Sequence, residues 1–246
     1  MPHAASATAL EQAHKPISSI CQLKGIFAGY EGEDILHDIN LCIGRREIVA
    51  VMGANGAGKS TLLKVIAGFI IPSRGEVWFN NEDVTNLEPH ERVQRGIAYV
   101  MQGSHVFTDL TVRENLQIGA MSIAQEVRDE EIDKALQLFP QLRRMDQVRA
   151  GLLSGGERQA LALAIVGIRR APLLMLDEPT AGLSEKLAEE LLLSIYEMNK
   201  HWDTSILLVE HKVSEALKIA DWVLVMENGR VAAQGPKEEL RHDSLG

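Results

Sequence analysis

Cysteine is scarce: Cys21 and Cys42 are the only two in 246 residues, far apart and without a C-x-x-C spacing. This argues against a disulfide framework or a zinc site, and both thiols read as buried small hydrophobes. Long apolar runs are missing as well. The longest, Leu161–Ile168, falls far short of the roughly 20 residues that cross a bilayer, so no segment is expected to span a membrane. Basic charge is in deficit, with 25 Lys+Arg against 34 Asp+Glu and a net charge of −9, which argues against any function resting on broad nucleic-acid electrostatics. The first 19 residues hold no apolar stretch of the kind that directs secretion, and the chain is expected to stay in the cytoplasm. Internal repeats and low-complexity tracts are absent too.

What is present is an ordinary globular composition, 46% hydrophobic and 24% charged, on a chain long enough for a substantial core. Residues 1–18 mix Ala, Ser, His, Gln and Pro16 without period and are expected to form a flexible tail, leaving 19–246 as one domain. Short segments rich in Ile, Leu and Val (Ile20–Ala28, Ile35–Ile43, Glu47–Met52) are broken by Gly29, Gly32 and Gly44 and predict strands and turns. After Gly58 the period changes to helical through Leu62, Leu63, Val65, Ile66 and Phe69. Gly75–Phe79 and Ile97–Met101 predict strands, and residues 103–150 carry two helical patterns, around Thr111–Met121 and Val127–Phe139. The remainder alternates helix (154–169), strand (173–176), helix (185–200), strand (204–209), helix (213–220) and strand (222–227), which predicts an α/β fold with a largely parallel sheet. Asn228-Gly229 between two apolar segments is a hairpin signal.

Three motifs carry chemistry. Gly53-Ala-Asn55-Gly56-Ala57-Gly58-Lys59-Ser60 fits G-x-x-x-x-G-K-[ST] between a strand and a helix. Such a loop turns backbone N–H groups inward around phosphate oxygens, with Lys59 reaching the β/γ-phosphates and Ser60 ligating Mg²⁺. Chance would produce the pattern in about one chain in a hundred of this length. The strand Leu173–Leu176 delivers Asp177 and Glu178 at its C-terminal end, where ligands of open α/β sheets sit; Asp177 is expected to hold Mg²⁺ through water and Glu178 to orient or deprotonate the attacking water. Leu153-Ser154-Gly155-Gly156-Glu157 is a capping box before a helix, and its glycines cost about 1 kcal/mol each in helix propensity. They make sense where a helix N-terminus meets an anion in backbone contact, and a second phosphate receptor suggests that two chains share each nucleotide.

P-loop, Leu-Ser-Gly-Gly-Glu and Leu-Met-Leu-Asp-Glu in this order and spacing resemble the nucleotide-binding subunit of an ABC transporter, over about residues 18–240. The resemblance implies a P-loop NTPase core with an N-terminal antiparallel β subdomain and a helical subdomain inserted at about 103–165. It implies ATP and Mg²⁺ as ligands, and a head-to-tail dimer holding ATP between one subunit's P-loop and the other's Leu153–Glu157 segment. It extends the nucleotide set to Tyr30, stacked on adenine, and Thr61; it makes Gln102 a Mg²⁺ contact and His211 a γ-phosphate contact, so that Lys59, Glu178 and His211 carry catalysis. The partners implied are transmembrane permease subunits, a second ATPase subunit and, indirectly, a solute-binding protein, with the chain peripheral on the cytoplasmic face of the membrane. Residues 103–125, with Val106, Phe107 and Leu110, are the expected permease surface.

Phe139-Pro-Gln-Leu, Arg149-Ala-Gly151, Leu208-Val-Glu210 and Ala216–Asp221 are similar to ATPases of branched-chain amino-acid, amide and urea importers. The core motifs alone leave open an exporter or lipid extractor, or a soluble non-transport ABC ATPase. The chain departs from the family where Ala181-Gly-Leu-Ser184 lacks the aspartate usual near Ser184; Ser184 is available there as an N-cap.

Overall fold

The computed structural model describes residues 18–103 and 106–239. The tail expected over 1–18 therefore lies, apart from Ser18, outside the described residues. In chain order the strands are β1 (Ser19–Tyr30), β2 (Glu33–Gly44), β3 (Ile48–Met52), β4 (Arg74–Phe79), β5 (Glu82–Asp83), β6 (Ile97–Val100), β7 (Leu173–Asp177), β8 (Ser205–Val209), β9 (Trp222–Glu227) and β10 (Arg230–Pro236). The helices are α1 (Lys59–Ala67), α2 (Pro89–Arg95), α3 (Val112–Gly119), α4 (Arg128–Leu138), α5 (Pro140–Arg143), α6 (Gly155–Gly167), α7 (Glu185–Trp202) and α8 (Val213–Ile219).

Two sheets form. The first is antiparallel, in the order β2-β1-β4-β5; the second runs β10-β9-β3-β8-β7-β6, parallel throughout except for β10 against β9. The strand period of two divides the buried strands between two cores. Val49 and Val51 of β3 face α1 and the antiparallel sheet, packing with Leu62, Leu63, Ile66, Leu36 and Ile39. Ile48, Ala50 and Met52 face the other way, toward α6, α7 and α8, in a cluster that continues through Leu116, Ile132 and Phe139 of the segment carrying α3 to α5. Because β3, β8 and β7 are parallel neighbours, the loops that leave them open at one edge of the sheet. This register brings the P-loop, Asp177-Glu178 and His211 together. The Asn228-Gly229 turn has positive φ at both residues (48° and 72°), the two-residue hairpin geometry, and a Cβ on Gly229 would lie 1.7 Å from the Ile35 carbonyl oxygen.

Several expectations are corrected. The first helix stops at Ala67, where the Gly68 N–H bonds the carbonyls of Lys64 and Val65, so Phe69 lies beyond it and is exposed. Val127 and Leu187 are exposed although both fit the helical period; each sits at or near the first turn of its helix. Cys21 is buried, but Cys42 is only half-buried, because β2 turns Leu41 and Ile43 inward on either side of it. Ser184 occupies the N-cap position of α7 without a side-chain capping bond. Helix α2 has no apolar period, since its one buried residue is Arg92. Its start is nevertheless written in the chain, with Pro89 in the first turn and a Glu88/Glu91 capping box.

Candidate active site

The P-loop joins the end of β3 to α1. A Cβ on Gly53 would lie 2.2 Å from the Met226 carbonyl oxygen, and one on Gly58 2.8 Å from Leu36 Cδ2, so the neighbouring strand and the antiparallel sheet both require glycine in this loop. Lys59 is buried; its Nζ donates to the carbonyls of Gly53 (2.8 Å) and Ala54 (3.0 Å). Burial pulls its pKa down, opposed by the nearby carboxylates of Glu178 and Asp177.

Across the loop, Ser60 Oγ donates to Asp177 Oδ1 at 3.2 Å, and Tyr99 on β6 donates its hydroxyl to Asp177 Oδ2 at 3.0 Å. Burial, and then the Asp177 charge, push the Tyr99 phenol upward, which keeps it a donor. Glu178 follows in the left-handed region at φ 51°, a conformation that costs a non-glycine residue about 1 kcal/mol or more. Both its oxygens are engaged. Gln102 Nε2 donates to Oε2 at 2.9 Å, and His211 Nε2 faces Oε1 at 2.6 Å. Glu210, beside His211, is a buried carboxylate that accepts the backbone N–H of Thr180 on Oε1 at 2.9 Å and that of His211 on Oε2 at 3.3 Å. Burial raises its pKa, the bonds from Thr180 and His211 oppose the rise, and the charge of Glu178 adds to it.

The structure thus brings together the P-loop with Ser60, Asp177, Glu178, Gln102 and His211, together with two residues that sequence reasoning left without a role, Tyr99 and Glu210. Tyr30, at the end of β1, is half-exposed with its hydroxyl accepting from Lys64 Nζ of α1 at 3.1 Å. Ser154 to Glu157 stand apart. The capping box forms, with Ser154 N–H donating to the Glu157 carboxylate at 2.7 Å and Glu157 N–H to Ser154 Oγ at 3.3 Å. Among the described residues no hydrogen bond joins this segment to the P-loop or to Asp177-Glu178. At Gly155 an added Cβ meets nothing within 4 Å, whereas at Gly156 it would lie 3.3 Å from Leu187 Cδ1, so Gly156 also answers to packing against α7. Between α3 and α4, a groove of about 540 Å³ is lined by apolar Leu110, Ile118, Met121 and Ile132 and by polar residues including Glu114, Arg128 and Asp129. Phe107 is exposed near it, while Val106 packs partly into the core.

A strand–loop–helix phosphate cradle, a carboxylate bonded to its serine and a second carboxylate held between an amide and an imidazole define a P-loop nucleoside triphosphatase cassette. Comparison with known proteins narrows the class. The family profile described as ABC transporter matches residues 36–181. The chain is 46% identical over 213 residues to the probable branched-chain amino acid transport ATP-binding protein LivF of Archaeoglobus fulgidus, covering 87% of this chain and 90% of that protein. It is 38% identical to the high-affinity branched-chain amino acid transport ATP-binding protein BraG of Pseudomonas aeruginosa, covering 80% and 84%. The thiamine import ATP-binding protein ThiQ of Haemophilus influenzae matches at 37%, covering 78% and 89%. Among solved structures, CbiO1 of Clostridium perfringens superimposes with a TM-score of 0.85 at 28% identity, over 92% of both chains. A dimeric cassette bound to ADP and Pi gives a TM-score of 0.77 at 25% identity, over 88% of this chain and 98% of that one. The chain belongs to the ATP-binding subunits of the ABC transporter family, whose members bind and hydrolyse ATP.

Proposed function

We propose that this chain is the ATP-hydrolysing subunit that energises an importer of branched-chain amino acids or related small polar solutes. One observation carries the hydrolytic reading: Glu178 is held between Gln102 and His211, one residue beyond the aspartate that bonds the P-loop serine. Likeness to LivF and BraG carries the solute class.

In this reading the P-loop amides and Lys59 bind the β- and γ-phosphates, and Glu178 orients a water and receives its proton. His211 holds Glu178 and meets the γ-phosphate. Ser60 and Asp177 present two hard oxygens 3.2 Å apart, a donor pair that suits Mg²⁺, with Gln102 beside them. When bound, Mg²⁺ supplies positive charge against the phosphate oxygens. Tyr30 offers a half-exposed ring for the adenine. Ser154 to Glu157, being separate from the P-loop of their own chain, serve the nucleotide of a second ATPase subunit in a head-to-tail dimer. The groove beside Phe107 receives a transmembrane permease subunit, placing the chain on the cytoplasmic face of the membrane, with a solute-binding protein delivering cargo on the far side.

Uptake tests this reading. In cells whose labelled leucine, isoleucine and valine uptake depends on this gene, Glu178→Gln is expected to abolish uptake while the protein remains membrane-associated. Uptake at the unmutated rate would overturn it.

A further inference from the structure

Three consecutive residues after β8 reach the segment that follows β7. Glu210 Oε1 accepts the Thr180 N–H at 2.9 Å, the His211 ring meets Glu178 at 2.6 Å, and Lys212 Nζ donates to the Leu183 carbonyl at 3.4 Å. The first rung differs from the others. Glu210 is only 3% exposed, and it is the one side chain of the three whose two polar ends bind backbone on both sides of the junction, since Oε2 also accepts the His211 N–H at 3.3 Å. Desolvating a carboxylate is costly, so a buried one is out of place unless its acceptors are needed. Here two backbone N–H groups from different loops converge on it, one on each carboxyl oxygen. A glutamine would present its NH₂ group to one of the two donors.

We propose that Glu210 is a positioning residue for ATP hydrolysis: its carboxylate ties the turn after Glu178 to the backbone of His211 and so fixes the imidazole against Glu178. The proposal rests on the roles given above to Glu178 and His211.

The test is steady-state ATP turnover of the purified full chain with Mg²⁺, for Glu210→Gln, Glu210→Asp and Glu178→Gln. Glu210→Gln is expected to lower kcat about tenfold, the worth of one charge-assisted hydrogen bond, with KM for ATP within about twofold of the unmutated value. Glu210→Asp, ionised but one methylene short, is expected to fall between. Unchanged kcat in Glu210→Gln beside an inactive Glu178→Gln overturns this proposal alone. So does a loss that active-site titration traces wholly to fewer competent sites, each turning over normally, because that is what a purely structural carboxylate would give. If Glu210→Gln does not fold, Glu210→Asp at the unmutated rate overturns it. Retained turnover in Glu178→Gln overturns the site assignment and this proposal together.

Discussion

Arg92 is fully buried, and among the described residues no carboxylate makes a salt bridge with it, although the charge of Asp83 acts on it from beyond contact. Its guanidinium instead serves four backbone carbonyls: Nε to Leu87 at 3.0 Å, Nη1 to Val65 at 2.7 Å and Ile66 at 2.9 Å, and Nη2 to Thr85 at 2.8 Å. Val65 and Ile66 lie in the last turn of α1, where carbonyls lack the usual helical partner; that of Val65 also accepts the Gly68 N–H at 3.2 Å. Arg92 therefore joins the Gly68 C-cap in satisfying the C-terminal end of the helix whose N-terminus is the P-loop. Replacing it with methionine keeps most of the volume and strands three carbonyls, those of Ile66, Thr85 and Leu87, since Val65 keeps its bond from the Gly68 N–H. At about 1 kcal/mol for each orphaned carbonyl, the low end of the usual range, the loss is about 3 kcal/mol. Relief from burying a cation offsets part of this, leaving roughly 1–2 kcal/mol of destabilisation. For a chain of this size that corresponds to a fall in Tm of about 2–8 °C. Arg92→Lys has three donors from one point and should lose less than methionine, whereas Arg92→Ala adds a cavity and should lose more. Thermal and urea unfolding measure the series. A stable or stabilised methionine variant would show that desolvation of the guanidinium outweighs its hydrogen bonds.

Two further predictions concern Tyr99, which is partly buried, and Cys21, which is buried. Tyr99→Phe removes the hydroxyl that holds Asp177 and should raise the Mg²⁺ concentration for half-maximal ATPase activity about fivefold, with kcat at saturating Mg²⁺ retained; an unchanged Mg²⁺ curve would rule out the positioning role. Burial pushes the Cys21 thiol from its ordinary 9.0 up to about 12, with the neighbouring Cys42 adding to the rise. Because the folded state holds this proton more tightly, its contribution is full below about pH 9 and is lost as pH climbs toward about 12. The stability difference between the unmutated chain and Cys21→Ala should accordingly shrink by on the order of 1 kcal/mol between pH 8 and 10, measured by urea unfolding. A difference constant with pH would contradict the buried-thiol assignment.

How much of this was legible beforehand depended on range. The P-loop, the Asp177-Glu178 strand end and the Ser154 capping box are local patterns, and each was readable from spacing. Gln102 and His211 are single residues whose meaning came from resemblance to a family, and the structure puts both on Glu178. Tyr99 and Glu210 carry no local signal. One meets a partner 78 positions away across β6 and β7, the other a partner 30 positions away across β7 and β8, and only strand adjacency creates those contacts. Arg92 was illegible for another reason, because an arginine in a short polar helix looks solvated until the carbonyls around it are known. Phe69 shows the opposite error, where a hydrophobic period continued on paper past the glycine at which the helix ends.

The assignment of Glu178 as the group that activates water is most directly tested by measuring ATP binding and turnover on the same preparations of unmutated protein, Glu178→Gln and Lys59→Ala. Glu178→Gln should lose between about 10²- and 10⁴-fold in kcat while binding ATP with Mg²⁺ as tightly as before, and Lys59→Ala should lose binding. Turnover retained in Glu178→Gln would contradict the assignment.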